Sequence, residues 1–169
     1  MEYTLRPATP DDADSIARIY NDAVISSTAS FDVAPQPIGT RRVWLTDRDA
    51  RHPVIVAETD DGHVVAWASL SRWSERPAYD ATVEMSIYVD DAARRQGLGR
   101  ALMAKLLDVA PSLGVHSVIS RIVVGNEGSI RLSEQYGFCE VGVMHECGRK
   151  FGRWLDVVIL EKVLETSHI

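Results

Sequence analysis

The sequence predicts a mixed α/β domain with a largely antiparallel central sheet and some parallel pairing. Apolar or alternating segments typical of strands are interspersed with segments whose apolar residues recur at helical spacing. Two units, within residues 82–110 and 117–136, pass from a strand pattern into a helix pattern. A sheet flanked by helices accounts for this order of elements.

The first half of the chain is predicted to fold as strand, helices and hairpin. Thr9 can cap a helix and Pro10 suits its first position, while Asp61-Gly62 is typical of a hairpin turn. The predicted elements are a strand over 2–8, a helix over 9–26, a shorter amphipathic segment around 39–50 and two strands within 53–73.

The second half contains a strand with two distinct faces. Apolar and polar residues alternate over 81–90, and a helical stripe runs from Leu98 until Pro111 and Gly114 end it. A second strand and helix follow, with Asn126 as the cap and Gly137 as the stop. Strands over 138–144 and 154–164 flank a predicted loop over 145–153.

Composition limits the admissible functions. At 169 residues and 46% hydrophobic content, residues 1–169 fit one domain. A formal charge of −6 disfavours a nucleic-acid partner, and no apolar run approaches the ~20 residues that span a bilayer. The N-terminus has no apolar leader, so we expect a soluble, cytoplasmic protein with no membrane partner. The spacing of Cys139 and Cys147 predicts no metal site.

The turn between the strand over 81–90 and the helix from Leu98 is shaped for an anion. Glycines before a helix N-terminus let phosphate oxygens approach unpaired backbone N–H groups. A Walker A loop would need Gly-Lys-Ser/Thr, and a Rossmann loop would need a third glycine and an acidic partner ~20 residues on. Arg94, Gly97 and Gly99 instead form R-x-x-G-x-G, the pattern of acetyl-CoA-dependent N-acyltransferases.

With "RRQGLGRAL" and "NEGSIRLSEQYGF", almost the whole chain resembles the GNAT superfamily. The segments "RPATPDDADSIARIYNDAV", "STASF", "WSERPAYDATVEMSIYV" and "GRKFGRWLDV" look closest to the phosphinothricin and related amino-acid N-acetyltransferases. The resemblance implies the GNAT fold, in which two splayed parallel strands hold acetyl-CoA as cosubstrate. It also implies a homodimer.

The resemblance implies the site residues as well. The implied cofactor contacts are Ile87, Tyr88, Val89, Arg94, Arg95, Gln96, Gly97, Leu98, Gly99, Arg100, Asn126 and Ser129. The implied substrate contacts are Ser74, Glu75, Arg76, Glu84, Met85, Ser86 and Tyr88. Arg149, Lys150 and Arg153 form a positive cluster that the family places near the substrate mouth, with a solvated basic loop as the alternative.

Glu84 is the candidate general base. The α-amine of an amino acid is mostly protonated at neutral pH, so a base must remove a proton before the amine attacks the thioester. The alternative role for Glu84 is to pair with the substrate ammonium or with a neighbouring arginine. Arg76 is suited to a carboxylate or phosphinate because its planar fork binds two oxygens.

The general acid is less defined. Many relatives carry tyrosine, and the close branch often histidine, where this chain has Ser133. Tyr136 could substitute, although a packed aromatic at a helix end is the favoured interpretation. Trp73, Phe151 and Trp154 are interpreted as packing aromatics.

The acceptor implied by the resemblance is a small amino acid such as phosphinothricin, methionine sulfoximine or methionine sulfone. Two other hypotheses stay open. The chain could acetylate a different amine, such as a polyamine, an aminoglycoside or a protein N-terminus. It could also be an acetyl-CoA-binding regulatory module without turnover, as the replacement at Ser133 allows.

Overall fold

A twisted seven-stranded sheet forms the centre of the protein, with strand order β1-β2-β3-β4-β5-β7-β6. The computed structural model describes residues 2–165. The strands are β1 (Tyr3–Pro7), β2 (Val54–Thr59), β3 (Val64–Arg72), β4 (Thr82–Val89), β5 (Ser117–Val123), β6 (Cys139–Lys150) and β7 (Arg153–Val163). The helices are α1 (Ala13–Ser26), α2 (Ile38–Thr46), α3 (Leu98–Val109) and α4 (Glu127–Gln135).

The pairing confirms the predicted fold class. All neighbouring strands are antiparallel except β4 and β5, which run parallel. Their register holds only from Thr82↔Ser117 to Glu84↔Ile119. Beyond these residues the two strands separate, and an opening forms between them.

The start of α1 differs from the prediction. Pro10 lies in a short 3-10 turn, Pro10–Asp12, and the α-helix begins at Ala13. The backbone N–H of Thr9 donates to Asp12 Oδ2 at 2.7 Å, so the carboxylate closes the turn. Burial would raise the pKa of Asp12, but hydrogen bonds from Arg6 and Thr9 lower it below its usual range.

The sheet is covered on both faces. Leu98, Leu102 and Leu106 of α3 pack on one face together with Leu70 and Met85. Ile16 and Ile19 of α1 pack on the other face with Trp67 and Val56. Because side chains alternate along β4, Met85 faces α3 while Tyr88 packs with the α1 layer.

The predicted loop over 145–153 is wrong. β6 continues to Lys150, and a tight turn at Phe151 and Gly152 leads into β7. Both turn residues have positive φ, 50° and 75°, as a primed hairpin turn requires. The register with β7 shifts before Gly148, so the strand continues past a bulge that the sequence pattern obscures.

Within the described part of the chain, no helix has the length and apolar character needed to span a membrane.

Candidate active site

A cleft of about 1030 Å³ occupies the opening between β4 and β5. Its walls are Met85–Val89 of β4 and Ser120–Val123 of β5, and its ends are the loop before α3 and the start of α4. Ala23 of α1, the residues Ser27, Thr28 and Ala29 that follow α1, and Arg153 of β7 also line it. The unpaired strand edges leave backbone N–H and C=O groups for a ligand that contains amides.

The cleft is positively charged although the chain is acidic. The arginines that line it are Arg94, Arg95, Arg100, Arg121, Arg131 and Arg153. Among the described residues, no Asp or Glu belongs to the lining. The cleft therefore suits an anionic ligand.

The loop before α3 has the backbone that an anion cradle requires. Arg95 and Gly97 both have positive φ, 64° and 81°. They turn the chain so that α3 begins at Leu98, and the N–H of Ala101 bonds to the carbonyl of Gly97 at 3.0 Å. The preceding N–H groups of the first turn have no intrahelical acceptor, so they can bind pyrophosphate oxygens.

The two glycines of this loop have different roles. A Cβ on Gly97 would meet no heavy atom within 4 Å, so its requirement is the left-handed backbone conformation. A Cβ on Gly99 would lie 3.4 Å from Leu132 Cδ2, at the contact of α3 with α4. Gly97 is therefore required by its backbone conformation, whereas an alanine at position 99 would meet only an ordinary contact.

The second end of the cleft is the start of α4. Asn126 Oδ1 accepts the N–H of Ser129 at 3.4 Å, as its predicted capping role requires. Ser133 is buried, and its hydroxyl donates to the Ser129 carbonyl at 3.0 Å. The Tyr136 hydroxyl donates to the Arg100 carbonyl at 3.2 Å, and this residue is outside the cleft lining. These contacts support the packing interpretation of Tyr136.

Of the other predicted cofactor contacts, Ile87, Tyr88 and Val89 lie on the β4 wall. Gln96 is exposed and outside the lining, while its neighbours Arg95 and Gly97 belong to it.

Glu84 forms an ion pair with an arginine from the neighbouring strand. Arg121 Nε donates to Glu84 Oε1 and Nη2 to Oε2, both at 2.7 Å. Arg121 belongs to the cleft lining, and Glu84 lies next to it at the point where β4 and β5 separate. The arginine partner that was the alternative role for Glu84 is thus present. Sequence reasoning missed Arg121, although a charged residue within the apolar run "SVISRIVV" was a signal.

Apart from Glu84, the predicted substrate contacts fall into two groups. Met85, Ser86 and Tyr88 line the cleft. Ser74, Glu75 and Arg76 lie on the connection between β3 and β4, outside the lining. The Ser74 hydroxyl accepts the backbone N–H of Arg76 at 3.2 Å, and the Arg76 side chain is exposed.

Tyr88 packs in an aromatic cluster on the α1 face of the sheet. Its ring stacks on Trp67 at 4.8 Å between centroids and meets Tyr20 edge-on at 5.1 Å. The buried guanidinium of Arg41 lies 4.4 Å from the Tyr20 ring centroid. Burial raises the pKa of Tyr88 well above its usual value, so the hydroxyl stays protonated. This cluster was not predicted.

The loop that follows α1 is held against the sheet by Lys150. Lys150 is buried, and its Nζ donates to the Ser30 carbonyl at 2.7 Å. The Tyr20 hydroxyl donates to Asp32 at 2.6 Å in the same loop. Burial lowers the pKa of Lys150. Of the predicted positive cluster, only Arg153 lines the cleft.

The packing interpretation is wrong for two aromatics. Phe151 and Trp154 are 58% and 59% exposed because the hairpin turn projects them from the sheet. Trp73 is half-buried and lies under the Arg121 guanidinium, 5.6 Å from its ring centroid to Cζ.

The profile of the acetyltransferase (GNAT) family matches residues 16–138. The chain is 36% identical to the L-methionine sulfoximine/L-methionine sulfone acetyltransferase of Pseudomonas aeruginosa, over 99% of this chain and 98% of that protein. It matches the crystal structure of a phosphinothricin acetyltransferase from Sinorhizobium meliloti in complex with acetyl-CoA, with a TM-score of 0.92 and 33% identity over 97% and 89% of the two chains. A ribosomal-protein-alanine N-acetyltransferase from Brucella melitensis matches with a TM-score of 0.92 and 38% identity over 95% and 99%.

The two loop glycines should respond differently to alanine. Gly97→Ala forces a left-handed residue to carry a Cβ, and we expect it to lower the free energy of unfolding by about 1–2 kcal/mol. Gly99→Ala adds only an ordinary contact with Leu132 Cδ2 and should not destabilise the fold. Urea denaturation of both variants measures the difference. Equal losses would contradict the assignment of separate roles.

Lys150→Met should release the loop that follows α1. It leaves the Ser30 carbonyl without its donor, which we expect to cost about 1–3 kcal/mol of stability. Hydrogen exchange of the backbone amides in residues 27–32 should accelerate. Arg149→Met, which removes the exposed neighbouring charge, is the control. Unchanged exchange in the Lys150 variant would show that Lys150 does not hold the loop.

Proposed function

The chain belongs to the GNAT family of acetyltransferases and uses acetyl-CoA as its cosubstrate, and we propose that its acceptor is the α-amino group of a small amino acid. Acceptors of the phosphinothricin, methionine sulfoximine or methionine sulfone type fit best. The observation that supports this choice is the near full-length identity of 36% to an acetyltransferase of such amino acids. The family resemblance of the sequence is thereby confirmed.

The arginines at the start of α3 and the helix N-terminus are suited to bind the phosphates of acetyl-CoA. The N–H groups of the first turn and the charges of Arg94, Arg95 and Arg100 suit a pyrophosphate. The unpaired edge at Ile87–Val89 suits the amides of the pantetheine arm. When bound, acetyl-CoA supplies the thioester carbonyl that the amine attacks. A backbone N–H of this β4 segment is suited to stabilise the negative charge that develops on the carbonyl oxygen.

Glu84 is the proposed acceptor of the amine proton. Each of its oxygens accepts one N–H from Arg121, and the remaining lone pairs can accept a proton from the ammonium directly or through one water. The amine then forms the C–N bond while the C–S bond breaks, and the second proton that the nitrogen must lose passes to the departing CoA thiolate, which leaves as the thiol. A thiolate whose conjugate thiol has a pKa near 8.5 departs without a protein acid and then accepts this proton, so the absence of an acid at Ser133 is compatible with turnover.

A protein N-terminus is the second candidate acceptor. The observation that favours it is the similarity to a ribosomal-protein-alanine N-acetyltransferase at 38% identity. Polyamines and aminoglycosides are disfavoured because the cleft is lined with arginines and no carboxylate among the described residues.

A homodimer is part of this proposal. β6 is an edge strand of the sheet, and large apolar side chains are exposed on or beside it. They are Val141, Met144, Phe151, Trp154 and Val163. An exposed apolar edge of this kind is usually covered by a partner. The cytoplasmic location expected from the sequence stays a prediction.

Release of free CoA from acetyl-CoA tests the acceptor class. Phosphinothricin, methionine sulfoximine, methionine sulfone, spermidine, an aminoglycoside and an alanine-terminated peptide are compared in parallel. We expect turnover with the three amino acids only. Turnover confined to the peptide would transfer the function to protein N-termini. Acetyl-CoA binding without any turnover would favour the regulatory hypothesis.

Glu84→Gln should lower kcat by about 10²–10⁴-fold, because an amide cannot accept the amine proton. Acetyl-CoA affinity should change little, since Glu84 lies outside the cleft lining. Steady-state kinetics and calorimetry measure the two effects. Glu58→Gln is the matched control. It replaces a carboxylate that binds Arg6 near the β1 edge of the sheet, away from the cleft. Near-normal turnover over roughly pH 6 to 9 would remove Glu84 as the base.

A further inference from the structure

The Glu84–Arg121 pair lies where β4 and β5 separate. Glu84 is the last β4 residue in register with β5, opposite Ile119, and Arg121 lies further along β5 in the separated part. The Arg121 side chain is 48% exposed and that of Glu84 is 20% exposed. Arg121 is therefore the more accessible member of the pair, and it faces the cleft.

Arg121 has donors that Glu84 does not use. The carboxylate accepts from Nε and from Nη2, each at 2.7 Å. Within residues 2–165, Nη1 has no hydrogen-bond partner. The Nη1–Nη2 edge of a guanidinium has the geometry to bind a second carboxylate through two parallel hydrogen bonds. One arginine can thus hold Glu84 on one edge and a ligand anion on the other.

We propose that Arg121 is an acceptor-binding residue, which receives the α-carboxylate of the amino acid while Glu84 receives its α-amino group. The inference rests on the proposed function, because it requires a free amino acid as the acceptor. An amino acid carries a positive and a negative group on one carbon. Glu84 and Arg121 present the complementary charges side by side.

The surroundings favour Arg121 over Arg76 as the anion site. The Trp73 ring lies 5.6 Å from Arg121 Cζ and supports the guanidinium through a cation–π contact. Hydrogen bonding to Glu84 raises the pKa of Arg121, so its charge persists at any working pH. Arg76 is exposed and outside the cleft lining, on the connection before β4.

The assignment defines the class of acceptor. Amines whose neighbouring carboxylate is replaced by an amide, including peptide N-termini, lose the ligand of Arg121. They also leave the free edge of the guanidinium without an anion. The site should therefore discriminate free amino acids from their primary amides.

The test compares an amino acid, methionine sulfone, with its primary amide on wild-type protein and on Arg121→Met. We expect the wild type to prefer the free amino acid by about 10- to 100-fold in kcat/KM, the value of a charge-assisted hydrogen-bond pair. In Arg121→Met this preference should largely disappear through a rise in the amino-acid KM. Arg121→Lys, which keeps the charge without the fork, should restore part of it.

Two further variants make the result specific. Arg42→Met removes an exposed arginine that pairs with Asp14 outside the cleft, and it should keep the preference. Arg76→Ala tests the competing anion site. If Arg121→Met keeps the preference for the free amino acid over its amide, or if only Arg76→Ala loses it, the role of Arg121 is overturned. The proposed function would stand in that case. Turnover of neither compound by the wild type, with acetyl-CoA still bound, would overturn the proposed function and this inference with it.

Discussion

The short parallel register of β4 and β5 is the constraint on which the site depends. Only Thr82–Glu84 pair with Ser117–Ile119, so the hydrogen-bonding edges of both strands become free immediately beyond. Each free backbone group needs a partner, which a ligand rich in amides provides. The separation begins directly after Glu84, the last β4 residue paired with β5. Position along one strand pair therefore determines where the cleft opens and where the proposed base, Glu84, lies.

Local charge rather than net charge determines what the cleft binds. The chain carries a formal charge of −6, yet its cleft is lined by arginines. Part of this potential comes from the loop before α3, where Arg95 and Gly97 adopt positive φ. The rest comes from arginines on β5, α4 and β7, which the fold brings to the same opening. An acidic protein can thus bind an anion because its fold gathers arginines around one cleft.

Most of the fold could be predicted, because its signals are local. Leu98 as the start of α3 and the hairpin at Asp61-Gly62 follow from residues a few positions apart. The extent of β6 could not be predicted, because its pairing with β7 continues past a bulge that interrupts the alternation of side chains. The cofactor loop was predicted from its motif, while Lys150 was assigned to the wrong environment. Its partner, the Ser30 carbonyl, is distant in sequence, and no local pattern indicates such a contact.

The contact between Arg121 and Glu84 is likewise one that no local sequence pattern indicates, because the two residues lie on different strands. It shows which of the predicted roles of Glu84 the structure contains before any ligand binds. The sequence predicts that Glu84 is either a general base or the partner of a substrate ammonium or of a neighbouring arginine. In the structure its carboxylate is already fixed by two hydrogen bonds across the strand opening. A side chain held in one geometry before binding loses less conformational entropy when the acceptor arrives. The ion pair is exposed enough that its own contribution to stability is small. The effect of the ion pair is instead to fix the two side chains relative to each other. The free lone pairs of Glu84 and the free edge of the Arg121 guanidinium are thereby held in one arrangement.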